Sequence, residues 1–175
     1  ISAEGDEQVW SQRWDRQLDD IFEVQDEVSQ AIVALLGSAV TGQEQKRLVQ
    51  RKKTANLSAW DLYLKALSLQ NNEGSGEQVI ASCKAAIELD NQFCDAYVLW
   101  CRTLTGMIFS HEYADSRAAN ERHFHINAQK AFDLDPNNPE AVIMLSRSYN
   151  IKRDYDKRIE LAKRALDLNP HHPSC

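Results

Sequence analysis

The sequence predicts an all-α fold, a solenoid of antiparallel helix pairs, and three observations carry that prediction. From residue 57 onward apolar residues recur at the helical spacing i, i+3, i+4, i+7. The clause "AFDLDPNNPEA" (131–141) returns as "ALDLNPHHPSC" (165–175), with Pro136 and Pro170 34 positions apart. Only six Gly and four Pro occur in 175 residues, so turns are few and regular elements long. A helix ending repeated at a fixed interval marks a stacked array, because one helix pair cannot bury its apolar faces alone.

The elements follow in order. Residues 8–37 begin with a short strand-like piece carrying Trp10 and Trp14 and continue into a capped helix. Asp20 and Glu23 form a capping box, Ile21, Val24, Val28, Ile32 and Leu35 share one helix face, and Gly37 suits the C-cap. The two Trp residues either pack on that helix or form an exposed aromatic platform; packing is the ordinary fate of such large rings. Residues 41–54 read as a polar linking helix opened by Thr41 and Glu44, so the linker is set at 41–56.

The array spans 57–175. Ser58 and Asp61 are expected to cap the first helix, whose stripe is Trp60, Tyr63, Leu64 and Leu67, and "NNEGSG" (71–76) ends it. Val79, Ile80, Cys83, Ala86 and Ile87 form the second stripe. Phe93, Tyr97, Trp100, Cys101 and Leu104 form the third. Phe124, Ala128, Ala131 and Phe132 follow, then Val142, Leu145 and Tyr149, then Tyr155, Ile159, Ala162, Ala165 and Leu166. Six helices make three pairs, with joints near 90–93, 135–139 and 169–173. At each joint a small Ala permits close approach, a Leu closes the core, and Pro, where present, sets the entry to the next helix.

The third pair, residues 141–170, resembles the tetratricopeptide repeat (TPR). Val142, Leu145, Tyr149, Tyr155, Ala162, Ala165 and Pro170 fall on that motif; Ser146 and Arg158 depart from it, where small residues are preferred. The second pair matches through Tyr97, Trp100, Cys101, Leu104, Ala131 and Pro136, with about eleven extra residues over the 34-residue period. The first pair matches at Ala86 and Leu89 and has Asn91 in place of Pro. The resemblance implies a TPR-like α-solenoid that binds proteins or peptides.

The front third resembles the last strand and helix of the TolB-N-like α/β domain of bacterial signalling proteins. There the pattern W-S-x-R-x-D-R-x-L-x-D-I-F-x-V-Q-D-E-[IV] precedes tetratricopeptide repeats, and this chain follows it from Trp10 to Val28. Residues 1–40 are therefore expected to be the C-terminal remnant of such a domain. The resemblance implies a parent protein of class III adenylate cyclase type, or alternatively a winged-helix transcriptional regulator. Both are bacterial and cytoplasmic, and neither output domain is encoded here.

Composition narrows the function. A net charge of -6 argues against nucleic acid, which needs clustered Lys and Arg. The basic run Lys46, Arg47, Arg51, Lys52 and Lys53 reads as a solvated helix end rather than a binding patch. No apolar run reaches the ~20 residues a bilayer demands. Cys83, Cys94, Cys101 and Cys175 show no metal spacing and read as reduced thiols, with Cys94 and Cys101 on one helix face. His123 and His125, two apart, diverge on a helix and cannot share an ion. Nucleotide, zinc-protease and serine-hydrolase motifs are missing, so no catalytic residue, metal or cofactor is assigned.

Two function classes follow. In the first, the first helices of each pair line a groove for a protein or peptide. Its candidates are Asp95, Val98, Arg102 and Thr105 in the second pair and Glu140, Ile143, Arg147 and Asn150 in the third, all taken to stand clear of the buried stripe. Arg102 and Arg147 suit a carboxylate. In the second, the array is an internal or dimerising spacer that holds its own output domain. A third idea places a small-molecule pocket at Met107, Ile108 and Phe109, where covering the neighbouring pair is the plainer explanation. Because the chain stops at Cys175, the stripe of Tyr155, Ile159, Ala162 and Leu166 is expected to be partly uncovered and to promote a homodimer.

Overall fold

The computed structural model describes residues 54–72 and 74–170 of the protein. The remnant expected over 1–40 and the linker up to residue 53 lie outside the described residues, and Thr54–Asn56 are not helical. Six α-helices follow: α1 (Leu57–Asn71), α2 (Gly76–Leu89), α3 (Cys94–Phe109), α4 (Arg117–Leu134), α5 (Pro139–Ile151) and α6 (Tyr155–Leu168). A 3₁₀ turn, His111–Ser116, joins α3 to α4. The stripes read from the sequence lie on these helices, except that Phe93 of the third stripe is the N-cap residue before α3.

Helix α1 starts earlier than its Ser58–Asp61 signal suggests. Asn56 caps it, accepting the Ala59 N–H at 3.1 Å and donating its amide to the Leu89 carbonyl at 3.2 Å. A cap that also closes the pair from end to start is supported twice, and it outcompetes a local signal. Helix α2 opens on a reciprocal capping box: Ser75 Oγ accepts from Gln78 N at 3.4 Å and Gln78 Oε1 from Ser75 N at 3.1 Å.

Each pair is antiparallel, as its cross-contacts show. The thiol of Cys94 meets the Ala131 carbonyl at 3.4 Å and that of Cys101 meets the Phe124 carbonyl at 3.6 Å, early against late along α3 and α4. The two cysteines do share a face, and with Cys83 they are buried free thiols. In the third pair Ser146 Oγ donates to the Arg158 carbonyl at 3.0 Å. The two positions where that pair departs from the tetratricopeptide pattern thus meet, and a buried hydroxyl finds its acceptor there. Between pairs, α2 packs on α3 and α4 on α5, while the first helices touch in series, α1 to α3 and α3 to α5. Helices α4 and α6 meet through Arg164, whose guanidinium lies 5.1 Å from the Phe132 ring and donates to the Pro136 carbonyl at 2.9 Å.

The joints repeat closely. Asp90 (φ -147°, ψ 98°), Asp135 (φ -144°, ψ 87°) and Asn169 (φ -148°, ψ 91°) end α2, α4 and α6 in one conformation. Their N–H groups bond the carbonyls of Ala86, Ala131 and Ala165, three alanines with no exposed surface. In the first two joints the Asp side chain accepts from the N–H two residues on, at 2.9 Å to Gln92 and 3.1 Å to Asn137. Asn91 stands where Pro136 stands, yet the turn is the same. The Asx turn, more than proline, therefore shapes the joint.

The eleven extra residues of the second pair are absorbed by regular structure. Helices α3 and α4 have 16 and 18 residues, against 13 and 14 for α5 and α6, and the six-residue 3₁₀ turn supplies the remainder. Met107 is buried over the start of α2, where a Cβ on Gly76 would lie 2.9 Å from its sulfur. Tyr113 donates to Glu77 Oε2 at 3.1 Å, bracing the turn against the same helix. Ile108 is buried and Phe109 is 67% exposed. Two of the three residues proposed for a pocket are thus core, and Met107 covers the neighbouring pair.

Candidate functional site

Helices α3 and α5 are the inner members of the second and third pairs, and the candidate residues fall on them at equivalent places 45 positions apart. Each helix carries the line acid, apolar, Arg, polar: Asp95, Val98, Arg102, Thr105 and Glu140, Ile143, Arg147, Asn150. Spacings of three and four keep each line on one helix face.

Burial divides these residues. Asp95 (5% exposed), Val98 (7%) and Ile143 (5%) are buried, so they do not stand clear of the stripe as the sequence reading has it. The reason is position in the stack: α3 packs against α1, α2, α4 and α5, which leaves little of its surface uncovered. Val98 and Ile143 belong to one hydrophobic cluster with Tyr97, Leu145 and Met144. Glu140, Thr105 and Arg147 are half-buried, and Arg102 and Asn150 are exposed.

Asn138 organises the acidic end. Its side-chain oxygen accepts from the N–H groups of Glu140 and Ala141, capping α5, while its amide donates to Asp95 Oδ1 at 3.5 Å and to the Cys94 sulfur at 3.7 Å. The start of α5 is thereby tied to the start of α3. An Asn before Pro139 is a legible cap signal; its second role depends on the fold.

The two arginines differ. Arg102 is held by Gln70 of α1, whose side-chain oxygen accepts from Nε at 2.9 Å and also from Nη2. The same Gln70 donates to Thr103 Oγ1 at 3.3 Å. Arg102 is oriented in this way and keeps further N–H donors for an incoming acceptor. Arg147 makes no hydrogen bond or ion pair among the described residues. Thr105 spends its hydroxyl proton on the Cys101 carbonyl at 3.0 Å, so it faces any partner only as an acceptor. Gln70 carries no motif, and sequence reasoning could not have found it.

The two histidines diverge as their spacing requires. His123 stacks on Trp100 of α3 at 6.2 Å, and the Lys84 ammonium lies 5.1 Å from the same ring. His125 turns to α5, where Nδ1 lies 3.0 Å from Ser148 Oγ and the ring meets Tyr149 at 5.5 Å. Ser148 donates its own proton to the Leu145 carbonyl at 2.7 Å, so Nδ1 of His125 carries the proton between them. Burial, then Lys152 and Lys157, hold the His125 pKa below its usual value. Among the described residues no group of three metal-ligating side chains converges, and no helix is long and apolar enough to cross a membrane. Burial pushes the Cys83 thiol up to about 12 and raises that of Cys101, which leaves both in the unreactive protonated form.

No family model matches the chain. The chain is similar to a curated protein of Rhizobium meliloti (strain 1021) named "Putative adenylate cyclase 3", with 30% identity over 152 residues, 85% of this chain. It spans 25% of that relative's length. Among solved structures, the one titled "Crystal structure of MamA" matches 85% of this chain and 78% of its own at 15% identity and a TM-score of 0.48.

Proposed function

We propose that the helix pairs form a non-catalytic protein-interaction scaffold, a tetratricopeptide-type region within a larger bacterial signalling protein of the adenylate cyclase kind. The observation that carries this reading is the repeated line on α3 and α5, with Arg102 and Arg147 at equivalent positions over a buried apolar floor of Val98 and Ile143. Two guanidiniums one pair apart suit an extended acidic peptide, each taking a carboxylate through paired N–H donors. Gln70 fixes Arg102 in advance, which lowers the entropy lost on binding. The signalling context is supported by the likeness to the Rhizobium meliloti protein, and it favours the cyclase parent over a winged-helix one.

The test is selection of displayed peptides on the chain, followed by titration against Arg147→Glu. Acidic peptides should emerge and lose about ten-fold or more in affinity on charge reversal, as rim and groove charges commonly cost. A selected set indifferent to Arg147 overturns the assignment of this face. Turnover of ATP or GTP by the pure chain overturns the non-catalytic part.

A further inference from the structure

Helix α3 runs about one turn further than α5. On the 45-position correspondence that matches Arg102 with Arg147, Gly106 falls on Ile151, the last residue of α5, and Phe109 falls on Asp154, already the N-cap of α6. The end of α3 therefore has no equivalent in the third pair. It is well anchored. Met107 and Ile108 are buried in the main hydrophobic cluster, and the 3₁₀ turn that follows is braced by the hydrogen bond from Tyr113 to Glu77.

The same turn presents two residues that internal packing does not explain. Phe109 has the most exposed large apolar side chain among the described residues. Gly106 is exposed inside the helix, and a Cβ added there would meet nothing within 4 Å. The other described glycines are different: an added Cβ would lie 2.8 Å from the Leu69 carbonyl oxygen at Gly74 and 2.9 Å from the Met107 sulfur at Gly76. Those two are required by their neighbours. Gly106 is not, although glycine weakens a helix interior. What it supplies is bare backbone that another chain can approach closely. Arg102, Gly106 and Phe109 are spaced by four and three, so they share one helix face. Arg102 is exposed and bonded to the neutral amide of Gln70, and among the described residues no carboxylate pairs with it.

We infer that Arg102, Gly106 and Phe109 form one subsite, which takes a protein segment carrying an acidic residue and a large apolar residue. The carboxylate pairs with Arg102, whose guanidinium Gln70 already orients. The apolar side chain lies on the Phe109 ring, and the backbone of the segment crosses Gly106. From Arg102 to Phe109 the helix rises about 10 Å, which an extended segment covers in about three residues. The acid and the apolar residue of the partner therefore stand about three positions apart. The subsite rests on the reading of this face as a peptide groove, and adds to it an apolar anchor and a spacing.

The experiment selects random displayed peptides on the unsubstituted chain and titrates the enriched ones against Phe109→Ser, Gly106→Leu and Arg147→Glu. Enriched peptides should carry Asp or Glu with Leu, Ile, Met, Phe or Trp about three positions away. They should bind Phe109→Ser and Gly106→Leu roughly ten-fold or more weaker, as loss or blocking of an anchor commonly costs. Thermal melts followed by circular dichroism separate a blocked surface from a damaged fold: Gly106→Leu should melt no lower than the unsubstituted chain, because leucine suits a helix better and its Cβ meets nothing. A lower melting temperature for Gly106→Leu would show that packing requires the glycine, and overturns the inference. Acidic peptides without an apolar residue overturn it too. So do peptides that lose affinity for Arg147→Glu yet bind Phe109→Ser and Gly106→Leu unchanged; these two outcomes leave the groove standing. A selection that yields no acidic peptides overturns both the subsite and the groove.

Discussion

Helices α3 and α6 both carry an apolar stripe and both end or begin at a repeated joint, yet their circumstances are opposite. Eleven of the sixteen residues of α3 are buried, and only Ala165 of the fourteen in α6. Helix α3 has neighbours on four sides, whereas among the described residues α6 packs against α5. The comparison teaches that in a stack of pairs the weight of a residue depends on its place in the series as much as on its type. Ala128 and Ala162 are the same residue at the same point of two pairs, one sealed and one exposed.

The sharpest way to break this comparison is to cut into the inner region. Phe124, 1% exposed, fills the space between α4 and α3. Phe124→Ala should cost about 3–5 kcal/mol in urea denaturation, through lost transfer energy and the cavity left behind. A loss below that of a surface truncation on α6 would refute the contrast between a sealed inner region and an open edge. Next comes Ala165, the buried residue of α6, flanked by half-buried Leu161 and Leu168 that pack on the same core. Ala165→Trp should destabilise by about 1–3 kcal/mol through overpacking. An unchanged melting temperature would mean that the last pair can open at no cost.

Smaller effects sharpen the picture at the edge. Arg153, in the turn between α5 and α6, has φ 61°, a left-handed conformation that suits glycine. Arg153→Gly should raise stability by about 1 kcal/mol, provided that the relief of strain exceeds glycine's added unfolded-state entropy. A loss would show that the Arg153 side chain makes a useful contact. Leu166→Ala should cost about 1 kcal/mol, less than the Phe124 truncation, because Leu166 is already 43% exposed.

The pH dependence separates α4–α5 from the edge in another way. His125 has a folded pKa below the usual 6.5, so the folded state favours its neutral form. Its contribution is present above that value and is lost as pH falls through 6.5 toward the folded pKa, because the unfolded chain binds the proton first. Melting temperature should therefore decline over that window, and His125→Gln should flatten the slope. A slope unaffected by the substitution would place the titration elsewhere.

Much of the array was legible before any coordinates. The six stripes depend on helical periodicity, a local property, and they fall on α1 to α6. The joints were visible because an Ala at the helix end followed by Leu and Asp or Asn is a short-range pattern. Even the poor burial of α6 is foreshadowed by its charge-rich sequence, "YDKRIELAKRALDL". The length of the insertion was countable as well, although not its form as longer helices and a 3₁₀ turn.

Other features depend on contacts between residues distant in sequence. Ser58 and Asp61 made a plausible cap, but Asn56 prevails because Leu89, 33 positions away, accepts its amide. Asp95, Val98 and Ile143 looked free on the helical wheel, which describes one helix and not the neighbours pressed against its other faces. Gln70 reaches Arg102 across 32 positions, and no local rule predicts a neutral amide there. The sequence by itself determined the helices, their pairing and their joints, since these follow from periodicity and turn chemistry within a few residues. Only the tertiary structure decided which faces are sealed, which arginine is oriented and which helix is left with an open side, because burial is settled by how the pairs stack.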